Sequence, residues 1–192
     1  MKWKLAVCWT LSVLSFSSFA QELVEYDDLD EALENPLEVR HLELRKEHYT
    51  EIPAEVWLFP NLEVLDLGKN DLTTLPDSIA ELKNLRVIIL EKNDFSVFPI
   101  ALLAIDSLEE IYLSDCPVEA IPENIDELTN LRILDLWHSN IEGIPATIGN
   151  LTKLERLDLR QTFFSQQAFD EQFPKDFTKA NVQLTSGCDC QD

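Results

Sequence analysis

Glycine is scarce, with four residues in 192, and none of them belongs to a loop that could cradle a phosphate. The motifs H-E-x-x-H and G-x-S-x-G are also missing, and the chain has only three histidines. Basic residues are few: 15 lysines and arginines stand against 36 acidic residues, for a net charge of −21. That field repels a phosphate backbone and an anionic lipid surface, which disfavours nucleic-acid and membrane partners. The acidic cluster near Asp27 to Asp30 lacks the glycine and the spaced ligands of a calcium loop. No cofactor and no metal site is expected.

Long apolar runs are equally rare. The one present, Leu5 to Phe16, follows Lys2 and Lys4 and precedes Ser18-Phe19-Ala20, with small residues at −3 and −1. This is the pattern of a secretory signal peptide over residues 1–20, and it is too short and wrongly flanked to be a spanning helix. The expected mature protein starts at Gln21, enters no membrane, and is secreted, periplasmic or at the cell surface. Cys116, Cys188 and Cys190 would remain, an odd number for an exported chain. Cys188 and Cys190 are too close for an easy internal bridge.

What is abundant is a clock. Pro53, Pro76, Pro99, Pro122 and Pro145 lie 23 residues apart, and Leu62, Leu85, Leu108, Leu131 and Leu154 keep the same interval. A fixed period of this length marks a solenoid, in which each unit buries its apolar face only against its neighbours. One unit reads Leu62, Leu65, Leu67, Asn70, Leu72, Leu75, Pro76, Ile79, Leu82. Leu65 and Leu67 alternate with Val64, Asp66 and Gly68, the period of a short strand with one buried face. On this phase Asp66 lies on the exposed face. Pro76 suits the first turn of a helix-like segment, with Ile79 and Leu82 inward. Asn70 and Asn93 turn inward to satisfy backbone groups where the strand bends away, and Cys116, Ser139 and Thr162 take the same slot later.

These positions resemble the leucine-rich-repeat family, in its 23-residue class with L-P-x-x-[IL]-x-x-L, over about residues 37–174. The resemblance implies six repeats in an α/β solenoid arc, with a concave parallel sheet and short helical or 3₁₀ segments on the convex side. An N-terminal capping helix is expected within 21–36, where Asp28 to Glu31 can form a capping box. Residues 175–192 are expected to hold a C-terminal cap and tail, including a terminal edge strand or extended lid at Asn181 to Thr185. The family also implies a partner, usually a protein, on the concave face.

The non-core strand positions should line that face. Ile89, Tyr112, Ile133 and Trp137 converge near its middle, with Asp135 and Glu91 beside them. Exposed aromatics among charges have the composition of a binding hot spot. One column, Arg40, Glu63, Arg86, Glu109, Arg132, Glu155, alternates in sign and should pair across strands. Lys46, Lys69 and Lys92 form a positive strip after the strands. The leading expectation is a non-catalytic module binding a protein partner through Ile89, Tyr112, Ile133, Trp137, Asp135 and Glu91. One alternative is a carbohydrate or cell-wall ligand stacked on Trp137 and Tyr112. A second is a small carboxylate-dependent hydrolase, for which His41 with Glu43 or His138 with Asp135 would supply the acid–base pair.

Overall fold

The 23-residue period becomes a stack of coils, each built of one strand, one turn and one 3₁₀ segment. The structure, a computed structural model, describes residues 24–173 and 181–184. All pairings are parallel and run in chain order: β1 (Glu25–Tyr26), β2 (His41–Glu43), β3 (Val64–Asp66), β4 (Val87–Ile89), β5 (Glu110–Tyr112), β6 (Ile133–Asp135), β7 (Arg156–Leu159) and β8 (Asn181–Leu184). Leu42 faces Leu65, and then Ile88, Ile111, Leu134 and Leu157 follow in register. The sheet is curved and unclosed, a leucine-rich-repeat arc.

The ends differ in detail from the expected caps. β1 heads the sheet, an element outside the repeat period, and α1 (Leu29–Glu34) follows it. The Asp28 carboxylate accepts from the amides of Asp30 and Glu31 at 2.8 and 3.0 Å, which caps this helix. Ala32 on its inner face is fully buried. At the far end α2 (Gln166–Gln172) replaces the sixth 3₁₀ segment, and the rings of Phe169 and Phe173 stack at 5.0 Å. The expected leader at 1–20, Cys188 and Cys190 lie outside the described residues.

Each coil closes on the same set of contacts. Leu42, Leu65, Ile88, Ile111, Leu134 and Leu157 are completely buried, as are Leu67, Leu90, Leu113, Leu136 and Leu159. Four of the five prolines stand one residue earlier than the sequence implied, and Pro122 stands three residues before its segment. Pro53, Pro76, Pro99 and Pro145 precede the first turn, and each carbonyl, with that of Pro122, accepts the amide three residues on at 3.0–3.2 Å. Proline lacks only a donor, so its carbonyl can still start a 3₁₀ segment.

Two side-chain ladders satisfy the backbone between coils. Asn93 donates to the carbonyls of Leu67 and Leu90 at 3.0 and 2.8 Å and accepts from the Leu72 amide at 3.0 Å. Cys116 donates from Sγ to the Leu90 carbonyl at 3.3 Å, and burial pushes its thiol up to about 11. On the opposite flank Asn61, Asn84, Ser107 and Asn130 donate to the carbonyls of Leu37, Pro60, Leu85 and Asp106 in the coil before. The alternating column also pairs. Arg40 bonds Glu63, Arg86 holds Glu109 through two bonds at 2.9 and 3.0 Å, and Arg132 holds Glu155 through two at 2.9 Å.

Asp66 corrects the sequence reading. It is only 5% exposed, accepts the Gly68 amide at 2.8 Å and pairs with Arg45 at 2.6 Å. Its strand position does face the open side, but neighbouring side chains cover it. The lysine strip has an unforeseen backbone. Lys46, Lys69, Lys92, Asp115, His138 and Gln161 all adopt positive φ, between 56° and 64°. Each of β2 to β7 is therefore followed, two or three residues on, by a left-handed residue, although none of the six is glycine.

Candidate functional site

Strands β4 to β6 bring five of the six candidate residues together. Ile89 pairs with Tyr112, and Tyr112 with Asp135. Ile133 lies between Glu110 and Arg156, and Trp137 follows Asp135 by two residues. All are half-buried on the open face. The Tyr112 hydroxyl donates to Glu110 Oε2 at 2.7 Å. Burial, followed by that bond, pushes its phenol up to about 12. Asp135 Oδ1 accepts the Trp137 amide at 3.0 Å. Burial holds the Asp135 carboxyl above its ordinary range, against the opposing effect of this bond. The Trp137 ring sits 5.3 Å from that of His138.

Arg156 was missed as a member of this group. Its guanidinium lies 5.9 Å from the centre of the Tyr112 ring, a cation–π contact. Among the described residues the nearest carboxylate, Asp135, is 3.7 Å away, and the Arg156 Nε is buried without a hydrogen-bond partner. Arg40, Arg45, Arg86, Arg132 and Arg160 each hydrogen-bond a carboxylate instead. The sequence held a usable signal: the residue one coil before Arg156 is Ile133, so no acid was due beside it.

Glu91 is drawn to the other side. Arg45 bonds both Asp66 and Glu91, crossing the coil between them. Glu91 thus belongs to a charge cluster over β2 to β4 rather than to the aromatic group. The hydrolase pairs do not form as written. His138 Nδ1 meets Asp115 Oδ1 at 2.6 Å, not Asp135, and the pair is open to solvent. The Glu43 carboxyl is held above its ordinary range, chiefly by a hydrogen bond with Glu25 and then by burial. Among the described residues no group of three or more His, Cys, Asp or Glu could hold a metal ion. Nor is any described helix long and apolar enough to cross a membrane.

Comparison with known proteins agrees with this geometry. Leucine-rich-repeat profiles match residues 38–95, 60–118 and 130–151. A leucine-rich-repeat protein of Leptospira interrogans is similar in structure, with 28% identity and a TM-score of 0.62 over 74% of this chain and 42% of that one. The plant peptide hormone receptor RGFR1, solved in complex with RGF2, is similar at 29% identity and a TM-score of 0.54 over 67% of this chain and 22% of that one. The chain thus spans less than half the length of either. No curated protein matches it.

Proposed function

The chain belongs to the leucine-rich-repeat family, and from that premise we propose that it is an exported, non-catalytic module that binds a protein partner on its concave sheet. Leucine-rich-repeat folds serve as protein-interaction modules, and the plant receptor with its bound RGF2 is a related arrangement. The observation that carries the reading is the group of Tyr112, Trp137 and Arg156. Two aromatic rings and an arginine whose side chain makes no hydrogen bond among the described residues stand together on an open face, and none of them fills the core. Such residues concentrate binding energy when a partner seals them from water. Ile89 and Ile133 supply apolar surface beside them, and Asp135 a carboxylate.

A sugar ligand is less well served. Arg156 stands over the Tyr112 ring, and Glu110 takes its hydroxyl, so that ring offers less free surface for stacking. Catalysis finds no support either, because the histidine–carboxylate pairs are exposed rather than set in a cleft that excludes water. The leader-like sequence pattern of residues 1–20, an apolar run between Lys4 and Ala20, supports export and would leave Gln21 as the mature start.

Photocrosslinking tests the reading. A photoreactive residue at position 89 or 137 should capture a protein from the native extracellular fluid, and one at Ser78 on the convex side should not. Capture from Ser78 alone would overturn the concave assignment.

A further inference from the structure

A second surface lies on the flank, in the stretches that lead from each strand to the next 3₁₀ segment. Glu119, Ala120, Asn140, Glu142 and Phe163 line an open recess of about 460 Å³ there. The column that includes the lining residue Ala120 is small or apolar over three successive coils. Ala120 is followed one coil later by Gly143, where a side chain would find nothing within 4 Å. It is preceded one coil earlier by Val97, which is 70% exposed. Phe163 at the end of the recess is 64% exposed.

Glu119 and Glu142 occupy the same position in adjacent coils, about 5 Å apart by the strand spacing. Their side chains make no ion pair and no hydrogen bond among the described residues. Glu63, Glu109 and Glu155 on the strand side all find arginines. Two uncompensated carboxylates beside an exposed ring create a field that favours a cation.

We propose that this recess takes a basic segment of a protein partner, with an arginine or lysine side chain lying along the Phe163 ring and its charge between Glu119 and Glu142. The adjoining column of Val97, Ala120 and Gly143 would receive the apolar neighbours of that residue. A second copy of this chain is a poor occupant, because a molecule of net charge −21 would bring acid against acid. The site is independent of the concave group.

The test is an NMR titration of the ¹⁵N-labelled protein with acetyl-Leu-Arg-Leu-Arg-amide, beside the same peptide with citrulline for arginine. The arginine peptide should shift the amides of Glu119, Ala120, Asn140, Glu142 and Phe163, and binding should weaken with added salt. The double variant Glu119→Gln/Glu142→Gln, and separately Phe163→Ala, should weaken it at least about fivefold, while Trp137→Ala changes nothing. Equal binding of the citrulline peptide would overturn the proposal. So would unchanged binding by the double variant, or shifts confined to Tyr112 and Trp137. All three side chains are exposed, so the variants should melt with the parent, which a thermal scan verifies.

Discussion

Arg45 reaches Glu91 over an intervening coil, and Gly68 is the gap it crosses. The three residues hold one position in successive repeats. A Cβ added at Gly68 would lie 3.0 Å from Asp66 Oδ1 and 3.1 Å from the Arg45 guanidinium. The glycine is there for close approach rather than for backbone freedom. Gly68→Leu should therefore push Arg45 off its carboxylates and cost roughly 1–3 kcal/mol. In that background Glu91→Gln should cost almost nothing further, because the bond is already lost. Urea denaturation of the two single variants and the double variant measures this. Full additivity would mean that Arg45 and Glu91 are not coupled.

Leu90→Ala and Leu113→Ala should each lose about 2–5 kcal/mol, since both empty a fully buried slot in a close-packed core. Asp66→Ala should lose about 1–3 kcal/mol, because it leaves the Gly68 amide without its acceptor and takes a carboxylate from Arg45. Chemical denaturation distinguishes the cases. An Asp66→Ala variant as stable as the parent would contradict the burial seen at this position.

The left-handed column predicts an unusual tolerance. Lys69 sits at φ 59°, where Asn is accommodated better than most residues and a β-branched side chain is poorly accommodated. Lys69→Asn should stabilise by up to about 1 kcal/mol, and Lys69→Val should destabilise by about 1–2 kcal/mol. Melting temperatures of the pair should move in opposite directions.

Asp135 and Glu109 should answer to pH with opposite signs. Burial raises the Asp135 pKa in the folded state, so its ionisation weakens the fold as pH rises through that value. Asp135→Asn keeps an acceptor for the Trp137 amide and should be more stable than the parent at pH 7. That advantage should shrink as pH falls and Asp135 protonates in the parent. Glu109 is held below its ordinary range by Arg86, so its contribution is present at neutral pH and lost on acidification. Denaturation curves for Asp135→Asn and Glu109→Ala between pH 3 and pH 7 test both signs.

The fold was legible because a 23-residue period leaves one way to stack Leu42, Leu65, Ile88, Ile111, Leu134 and Leu157. Their register could be read without coordinates, and so could the Asn93 ladder and the Arg86–Glu109 pair, since each joins residues one coil apart. Asp66 was misjudged because alternation gives the direction of a side chain and not what covers it. Part of the cover comes from Arg45 in the coil before, a diagonal contact beyond a reading that compared residues directly opposite one another. β1 lay outside the repeat and carried no period to betray it. The left-handed column was hidden because lysine, histidine and glutamine do not announce positive φ as glycine does. Five candidate residues could be placed on the concave face from spacing alone, and Ile133 one coil earlier marked Arg156 as lacking an opposed acid, but its place over the Tyr112 ring needed the structure.

The most direct test of the interaction reading is affinity and melting temperature measured together for Trp137→Ala, against the protein captured by the photoreactive variants. Trp137 stands on the open face and makes its backbone bond to Asp135 through its amide, which alanine retains. The variant should melt within a few degrees of the parent. Its affinity should fall at least tenfold, the equivalent of about 1.4 kcal/mol. Unchanged affinity with an intact fold would place the partner elsewhere and contradict the concave site. Loss of the fold would show that the ring belongs to the core.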